Sequence, residues 1–119
     1  MSDSRIPGLY RLPVGERIAR LRELGWLGDE DAAKLEQGQH VLSVTAADHM
    51  IENVIGVFAL PLAVAPNFVI NGRECIVPLA VEEPSIVAGL SSAAALARAS
   101  GGFEVDGDDA VLILSLIHI

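Results

Sequence analysis

The sequence predicts an α+β fold in which short helices come first, an antiparallel hairpin follows, and one small-residue helix packs after it. Three observations predict this. Apolar residues recur at helical spacing near the amino terminus, Asn71-Gly72 stands between two runs of Val, Ile, Leu and Phe, and a proline-led, alanine-rich stretch runs from there to Gly101-Gly102.

Val14, Ile18, Leu21 and Leu24 lie on one helical face, charged residues fill the gaps, and Gly25 marks a stop. Asp29 is the expected N-cap of a second helix, because Glu30 and Asp31 suit the positive end of a helix dipole and Ala32, Ala33 and Leu35 supply the apolar side. Gly38 ends it. Thr45 with Asp48 three residues on has the form of a capping box, and Ala47, Met50, Ile51 and Val54 make one face of a third short helix running into Gly56. From Val57 the pattern becomes extended. The Asn-Gly pair between FVI and the apolar IVPLAV is a strong hairpin signal, so two antiparallel strands are expected to meet there. Glu82, Glu83 and Pro84 then open a long helix, with Pro84 in its first turn. Its apolar interior is almost all Ala and Gly with some Ser, the large apolar side chains being Ile86, Val87, Leu90 and Leu96, which lets neighbours approach its backbone closely.

At 119 residues the chain fits one domain, able to bury roughly two thirds of its unfolded surface. Hydrophobic residues make up 51% but aromatics only 4%, so the apolar mass is Ala, Val, Ile and Leu. The net charge of −8 leaves no basic face to neutralise a phosphate backbone, which excludes nucleic acid as a partner. Cys75 is the lone cysteine, and MSDSRIPG lacks the charged-then-apolar pattern of a signal peptide, so a cytoplasmic location is expected. No charge appears between Asn53 and Gly72, yet Pro61 and Pro66 would break a spanning helix, so no membrane association is expected.

The residues best placed for chemistry are Glu82-Glu83-Pro84-Ser85, at the junction of an apolar strand and an apolar helix. A carboxylate desolvated there would have its pKa raised toward neutrality and serve as a general acid, although on spacing alone the commoner role for two acids at this point is to cap the helix. Ser85 either meets a ligand or satisfies a backbone amide. His40, His49 and His118 share no metal-ligand spacing with each other or with Cys75, so no metal is expected. Arg5 and Arg11 lie in an amino-terminal segment where they could meet an anion, but isolated arginines of this kind are most often solvated surface. There is no glycine-rich phosphate loop, so no cofactor-binding residue is assigned.

The segments ENVIG, LPLAVAPNFVINGRE, PLAVEEPSIVAG and ARASGGF, in that order, resemble class II hydroxymethylglutaryl-coenzyme A reductases, the bacterial NAD-dependent type. The likeness covers residues 4 to 108. It implies that residues 1–108 are the amino-terminal part of the large, substrate-binding domain and that 109–113 begin the small cofactor domain. The resemblance also implies a reaction interconverting mevalonate plus coenzyme A with hydroxymethylglutaryl-coenzyme A by two hydride transfers, with NAD as cofactor. On this reading Glu83 is the catalytic proton donor and acceptor, Ser85 and Ile86 contact substrate, and Arg11 meets coenzyme A phosphate. Glu52, Asn53, Val54, Ile55 and Gly56 would form the interface of a homodimer or higher homo-oligomer. The family's catalytic lysine, aspartate and histidine fall beyond this chain, so the chain alone is expected to be inactive and to associate through its uncovered apolar helix. The final LSLIHI leaves the family pattern and matches translation of a transposon mosaic-end adapter, so 114–119 are expected to be non-native; the other reading is a strand opening the next domain. The rival function is a non-catalytic dimerisation or binding module derived from the same fold, and a third reading is another acyl-coenzyme A enzyme sharing the segment.

Overall fold

The computed structural model describes residues 3–39, 41–81 and 83–107. A 3-10 turn at Leu9–Arg11 leads into α1 (Val14–Glu23), α2 (Asp29–Glu36) and α3 (Val44–Asp48); β1 (Leu62–Ile70) and β2 (Arg73–Ala80) then precede α4 (Ile86–Ala99). This is the expected α+β content in the expected order. His40, Glu82 and residues 108–119, with His118 and both carboxy-terminal segment assignments, lie outside the described residues.

α1 forms where the apolar spacing places it and buries Ile18 and Leu21. Its end is a Schellman turn: the Trp26 N–H donates to the Leu21 carbonyl at 2.9 Å and the Gly25 N–H to that of Arg22 at 2.9 Å, with Gly25 at φ 75°. The same pair of bonds closes α2 around Gly38 and α4 around Gly101. In α2 the acids of the first turn are in place, but Gly28 is the N-cap and Asp29 is already helical.

α3 is shorter than the sequence pattern suggests. Ser43, not Thr45, caps it by accepting from the Ala46 N–H at 3.1 Å, and the helix stops at Asp48. Met50 and Ile51 both donate back to Ala47, a tightened last turn, and Asn53 at φ 58° turns the chain away. Met50, Ile51 and Val54 therefore do not share a helical face.

The hairpin turns at Asn71-Gly72, whose φ values of 48° and 72° are the two positive angles a type I′ turn requires. β1 and β2 pair antiparallel from Leu62↔Ala80 to Ile70↔Arg73. The register slips between Ala65↔Val77 and Phe68↔Cys75, where Pro66 and Asn67 together oppose Ile76: a β-bulge with Asn67 left-handed at φ 77°.

Ile6, Leu9 and Leu21 form the buried centre, with Leu12, Leu24, Trp26, Leu27, Val64 and Ile76 packed around it. Each such side chain contributes about 1.5–3 kcal/mol when fully buried, which ties the amino-terminal segment and α1 to one face of the hairpin. α4 meets β1 through smaller groups, since Ala65 and Ala94 are fully buried while Leu90 and Leu96 stay exposed. Past α4 the chain returns to the hairpin. The Phe103 N–H donates to the Val69 carbonyl and the Asn71 N–H to the Phe103 carbonyl, both at 2.8 Å, and the Phe68 and Phe103 rings stack with centroids 5.5 Å apart. No helix among the described residues is long and apolar enough to cross a membrane.

Candidate functional site

The junction between β2 and α4 differs in detail from the expected one. Pro84 sits in a turn rather than in the helix, and α4 begins at Ile86 after Ser85, which is left-handed at φ 72°. A non-glycine residue held there stores about 1–3 kcal/mol of strain unless neighbours compensate, and such residues cluster at functional sites. The Ser85 side chain makes no capping bond. Of the two readings for this serine, satisfaction of a first-turn amide is not the one realised.

Ser85 lines an apolar groove of about 1220 Å³ between the amino-terminal segment with α1, the extended stretch 57–64, and α4; Tyr10, Arg17, Phe58, Asn67 and Ser91 are among its walls. Glu83 does not face this groove. It lines a separate, smaller concavity of about 250 Å³ with Ala80, Val81 and Ile86. Glu83 is exposed, so the partial desolvation expected for it is not provided by the described residues. The structure thus brings Glu83 and Ile86 together and turns Ser85 toward the larger space.

The other anticipated residues lie apart from that junction. Arg11 is exposed, its guanidinium 5.3 Å from the centre of the Tyr10 ring and its Nε donating to the Tyr10 hydroxyl at 3.0 Å. Arg5 pairs with Asp3. Within the groove it is Arg17, not Arg11, that supplies the charge among the described lining residues. It donates from Nη2 to the Tyr10 carbonyl at 3.1 Å, while its Nε is buried without a partner. Glu52, Asn53, Ile55 and Gly56 are exposed in a turn and extended stretch and Val54 is half-buried; Met50, Ile51, Ile55 and Phe58 make this the most apolar exposed stretch described. His49 Nδ1 lies 2.7 Å from the Thr45 carbonyl, and among the described residues no cluster of His, Cys, Asp and Glu is placed to hold a metal ion.

Two groups that sequence reasoning passed over organise the site from behind. Glu74 of β2 receives both guanidinium arms of Arg98 in α4, Nη1 reaching Oε2 at 2.8 Å, and Glu74 Oε2 also accepts the Ser4 N–H at 2.9 Å and the Ser4 hydroxyl at 2.5 Å. Ser4 itself is fully buried. The Arg98 guanidinium, and after it the Ser4 hydroxyl and amide, hold the Glu74 carboxyl down at a pKa of about 2. This clamp joins the amino-terminal segment, β2 and α4. The second group is Asn67 at the bulge, whose Nδ2 donates to the Ser91 carbonyl at 2.9 Å and whose N–H donates to the Ser4 carbonyl at 3.0 Å. Arg98 and Glu74 fall inside the ARASGGF and NGRE segments, and a proline-asparagine pair inside a strand pattern is itself a bulge signal.

Comparison with known proteins follows the same lines. An Archaeoglobus fulgidus protein named 3-hydroxy-3-methylglutaryl-coenzyme A reductase is 50% identical over 111 residues, covering 92% of this chain and 25% of the relative. A Borreliella burgdorferi protein named as a probable enzyme of the same kind is 46% identical over 46 residues, covering 39% of this chain and 11% of its own length. The chain therefore spans about a quarter or less of the curated relatives it matches. Among solved structures, a 3-hydroxy-3-methylglutaryl-coenzyme A reductase from Streptococcus pneumoniae aligns with TM-score 0.76 and 39% identity, covering 82% of this chain and 23% of that one. A class II enzyme from the same organism, bound to NADPH in open conformations, aligns equally well over 26% of its chain. The profile of the family described as hydroxymethylglutaryl-coenzyme A reductase matches residues 13–117, most of the sequence, and the chain belongs to that family.

Proposed function

We propose that this chain is the amino-terminal part of the substrate-binding domain of a class II reductase, which interconverts hydroxymethylglutaryl-coenzyme A with mevalonate plus coenzyme A using a nicotinamide cofactor. The observation that carries the reading is the Glu83-Pro84-Ser85 turn: a strained Ser85 with an uncommitted hydroxyl at the edge of a groove large enough for an acyl group and its thioester arm, with Glu83 two residues away in a separate smaller concavity. Family membership supplies the substrate class.

Reduction of the thioester to the alcohol takes two hydrides and two protons overall, one proton ending on the new hydroxyl and one on the released thiol. The cofactor, when bound, supplies the hydrides. Glu83 supplies and recovers the proton at the oxygen of the hemithioacetal or aldehyde, a role that calls for a site shielded from water. Because the described residues leave it exposed, the surface that dries it belongs to the rest of the enzyme or to a second subunit. Ser85 and Ile86 hold the acyl portion, and Arg11 meets a coenzyme A phosphate. The apolar stretch around Glu52 to Gly56 supports an assembly role for those residues in a homodimer or larger oligomer. On this reading the nicotinamide site lies in the rest of the enzyme, since the sequence holds no glycine-rich phosphate loop. The reading takes NAD as cofactor and the cytoplasm as compartment; the NADPH held by the Streptococcus pneumoniae enzyme makes cofactor choice the first thing to measure.

The test is steady-state reduction of hydroxymethylglutaryl-coenzyme A by the full-length protein with NADH and with NADPH, wild type against Glu83→Gln. The expected loss in kcat is about 10²–10⁴-fold, the usual contribution of a general acid. A Glu83→Gln enzyme with wild-type kcat would remove Glu83 from the mechanism.

A further inference from the structure

We infer that Asn67 is the residue that positions Ser85, and with it the substrate-facing end of α4; the inference rests on the reductase reading above. The most buried positions of α4 and β1 are small, Ala94 on the helix and Ala65 on the strand, both fully buried, with Val87 and Ser91 half-buried on the same face of α4. Methyl-to-methyl packing excludes water but does little to fix a helix along its own axis, because it offers no ridge deep enough to lock. Directional bonds must do that. Among the described residues two sets reach α4 from outside: the Arg98 clamp at its carboxy-terminal end, and the bond from Asn67 Nδ2 to the Ser91 carbonyl at 2.9 Å. Ser91 is six residues past Ser85, about 9 Å along the helix, whereas Arg98 is about 20 Å away, so Asn67 is the pin nearest the site.

The bulge exists to make that pin. With Pro66 and Asn67 opposing Ile76 alone, the chain needs a left-handed residue, and Asn is among the few non-glycine types that adopt it readily. The turn takes both Asn67 donors out of the sheet, sending the backbone N–H to the Ser4 carbonyl and the side-chain amide to α4. Asn67, Ser91 and Ser85 line the same groove, so this contact and the substrate's expected place share one surface.

Two substitutions separate positioning from mere turn-making. Asn67→Gly accepts the left-handed backbone without strain and deletes only the amide. Asn67→Asp keeps shape and backbone preference but sets an acceptor against the Ser91 carbonyl. In the full-length enzyme both are expected to raise KM and the calorimetric Kd for hydroxymethylglutaryl-coenzyme A roughly ten-fold, since sub-ångström misplacement of a binding group is costly. The KM for the nicotinamide cofactor should not move. Asn67→Gly with wild-type KM and Kd, whatever its melting temperature, would show that Asn67 serves only the turn and overturn the inference. A wild-type protein that fails to bind hydroxymethylglutaryl-coenzyme A would instead sink the reductase reading and this inference with it, so the two failures are told apart by the wild type alone.

Discussion

A methyl group added at Gly102 has nowhere to go. Its Cβ would lie 2.4 Å from the Val69 carbonyl oxygen and 2.7 Å from the Val69 Cβ, and the backbone there is already at φ 93°. Forcing an L-residue into that left-handed region costs about 1–2 kcal/mol by itself. Relieving the collision means moving the returning chain off β1, which breaks the bond from Phe103 to Val69 and the bond from Asn71 to Phe103, about 1 kcal/mol net for each. Gly102→Ala should therefore destabilise the hairpin end by about 3–4 kcal/mol on those two principles. Gly101 provides the control. It too has a positive φ, 103°, but open space surrounds its would-be Cβ, so Gly101→Ala should carry only the backbone cost of about 1–2 kcal/mol. The difference of about 2 kcal/mol corresponds to roughly thirty-fold in the local opening constant. Native-state hydrogen exchange at the Phe103 and Asn71 amides measures that constant, and urea titration followed by the single tryptophan, Trp26, reports whether the main core responds. Equal protection of the Phe103 amide in the two variants would refute the steric argument.

Glu74, with its pKa lowered to about 2 from an ordinary 4.5, binds its proton more weakly folded than unfolded, so its contribution is complete above about pH 4.5 and is lost as pH falls toward 2. Melting temperatures of wild type and Glu74→Gln should accordingly differ most above pH 4.5 and converge near pH 2; a constant gap across that window would mean that the carboxylate charge is not what holds the clamp. Ile55 and Phe58 are almost wholly exposed, at 104% and 88% relative accessibility, so the double change Ile55→Ser, Phe58→Ser should shift the 119-residue chain toward monomer in sedimentation velocity with little change in circular dichroism. An unchanged association state would move the sticky surface elsewhere, to the exposed side of α4 in the first instance.

Much of this fold is local and was therefore readable in order along the chain. α1 needs only its own spacing and Gly25, and the hairpin only Asn71-Gly72, because each signal lies within a few residues of the structure it makes. Three of the helix ends read equally well, at Gly25, Gly38 and Gly101, whereas α3 stops at Asp48, well short of Gly56. Helix beginnings were less legible: Gly28 and Ser43 cap where Asp29 and Thr45 were expected, and α4 starts after Pro84 because Ser85 adopts a left-handed angle that local propensity disfavours. No pattern in the adjoining residues announces that angle. The same is true of the clamp, in which Ser4 and Glu74 are 70 residues apart and Glu74 and Arg98 are 24 apart, so that no window of ordinary length contains it. At the site, Glu83, Ser85 and Ile86 were singled out by motif, but their separation into two concavities is a property of the turn's path. Asn67 beside Pro66 is a bulge signal that went unread, and nothing near it in sequence points to its partner on α4.

The way the chain leaves α4 has a mechanical consequence. After Gly102 it is laced to the hairpin tip, with Val105 exchanging hydrogen bonds in both directions with the Asn71 side chain at 2.8 and 3.0 Å. Polypeptide continuing past residue 107 is thus tethered to the far end of the sheet rather than to the helix that carries Ser85. A tug transmitted along that polypeptide is met first by the hydrogen bonds at the hairpin tip, before it reaches α4 through Gly102.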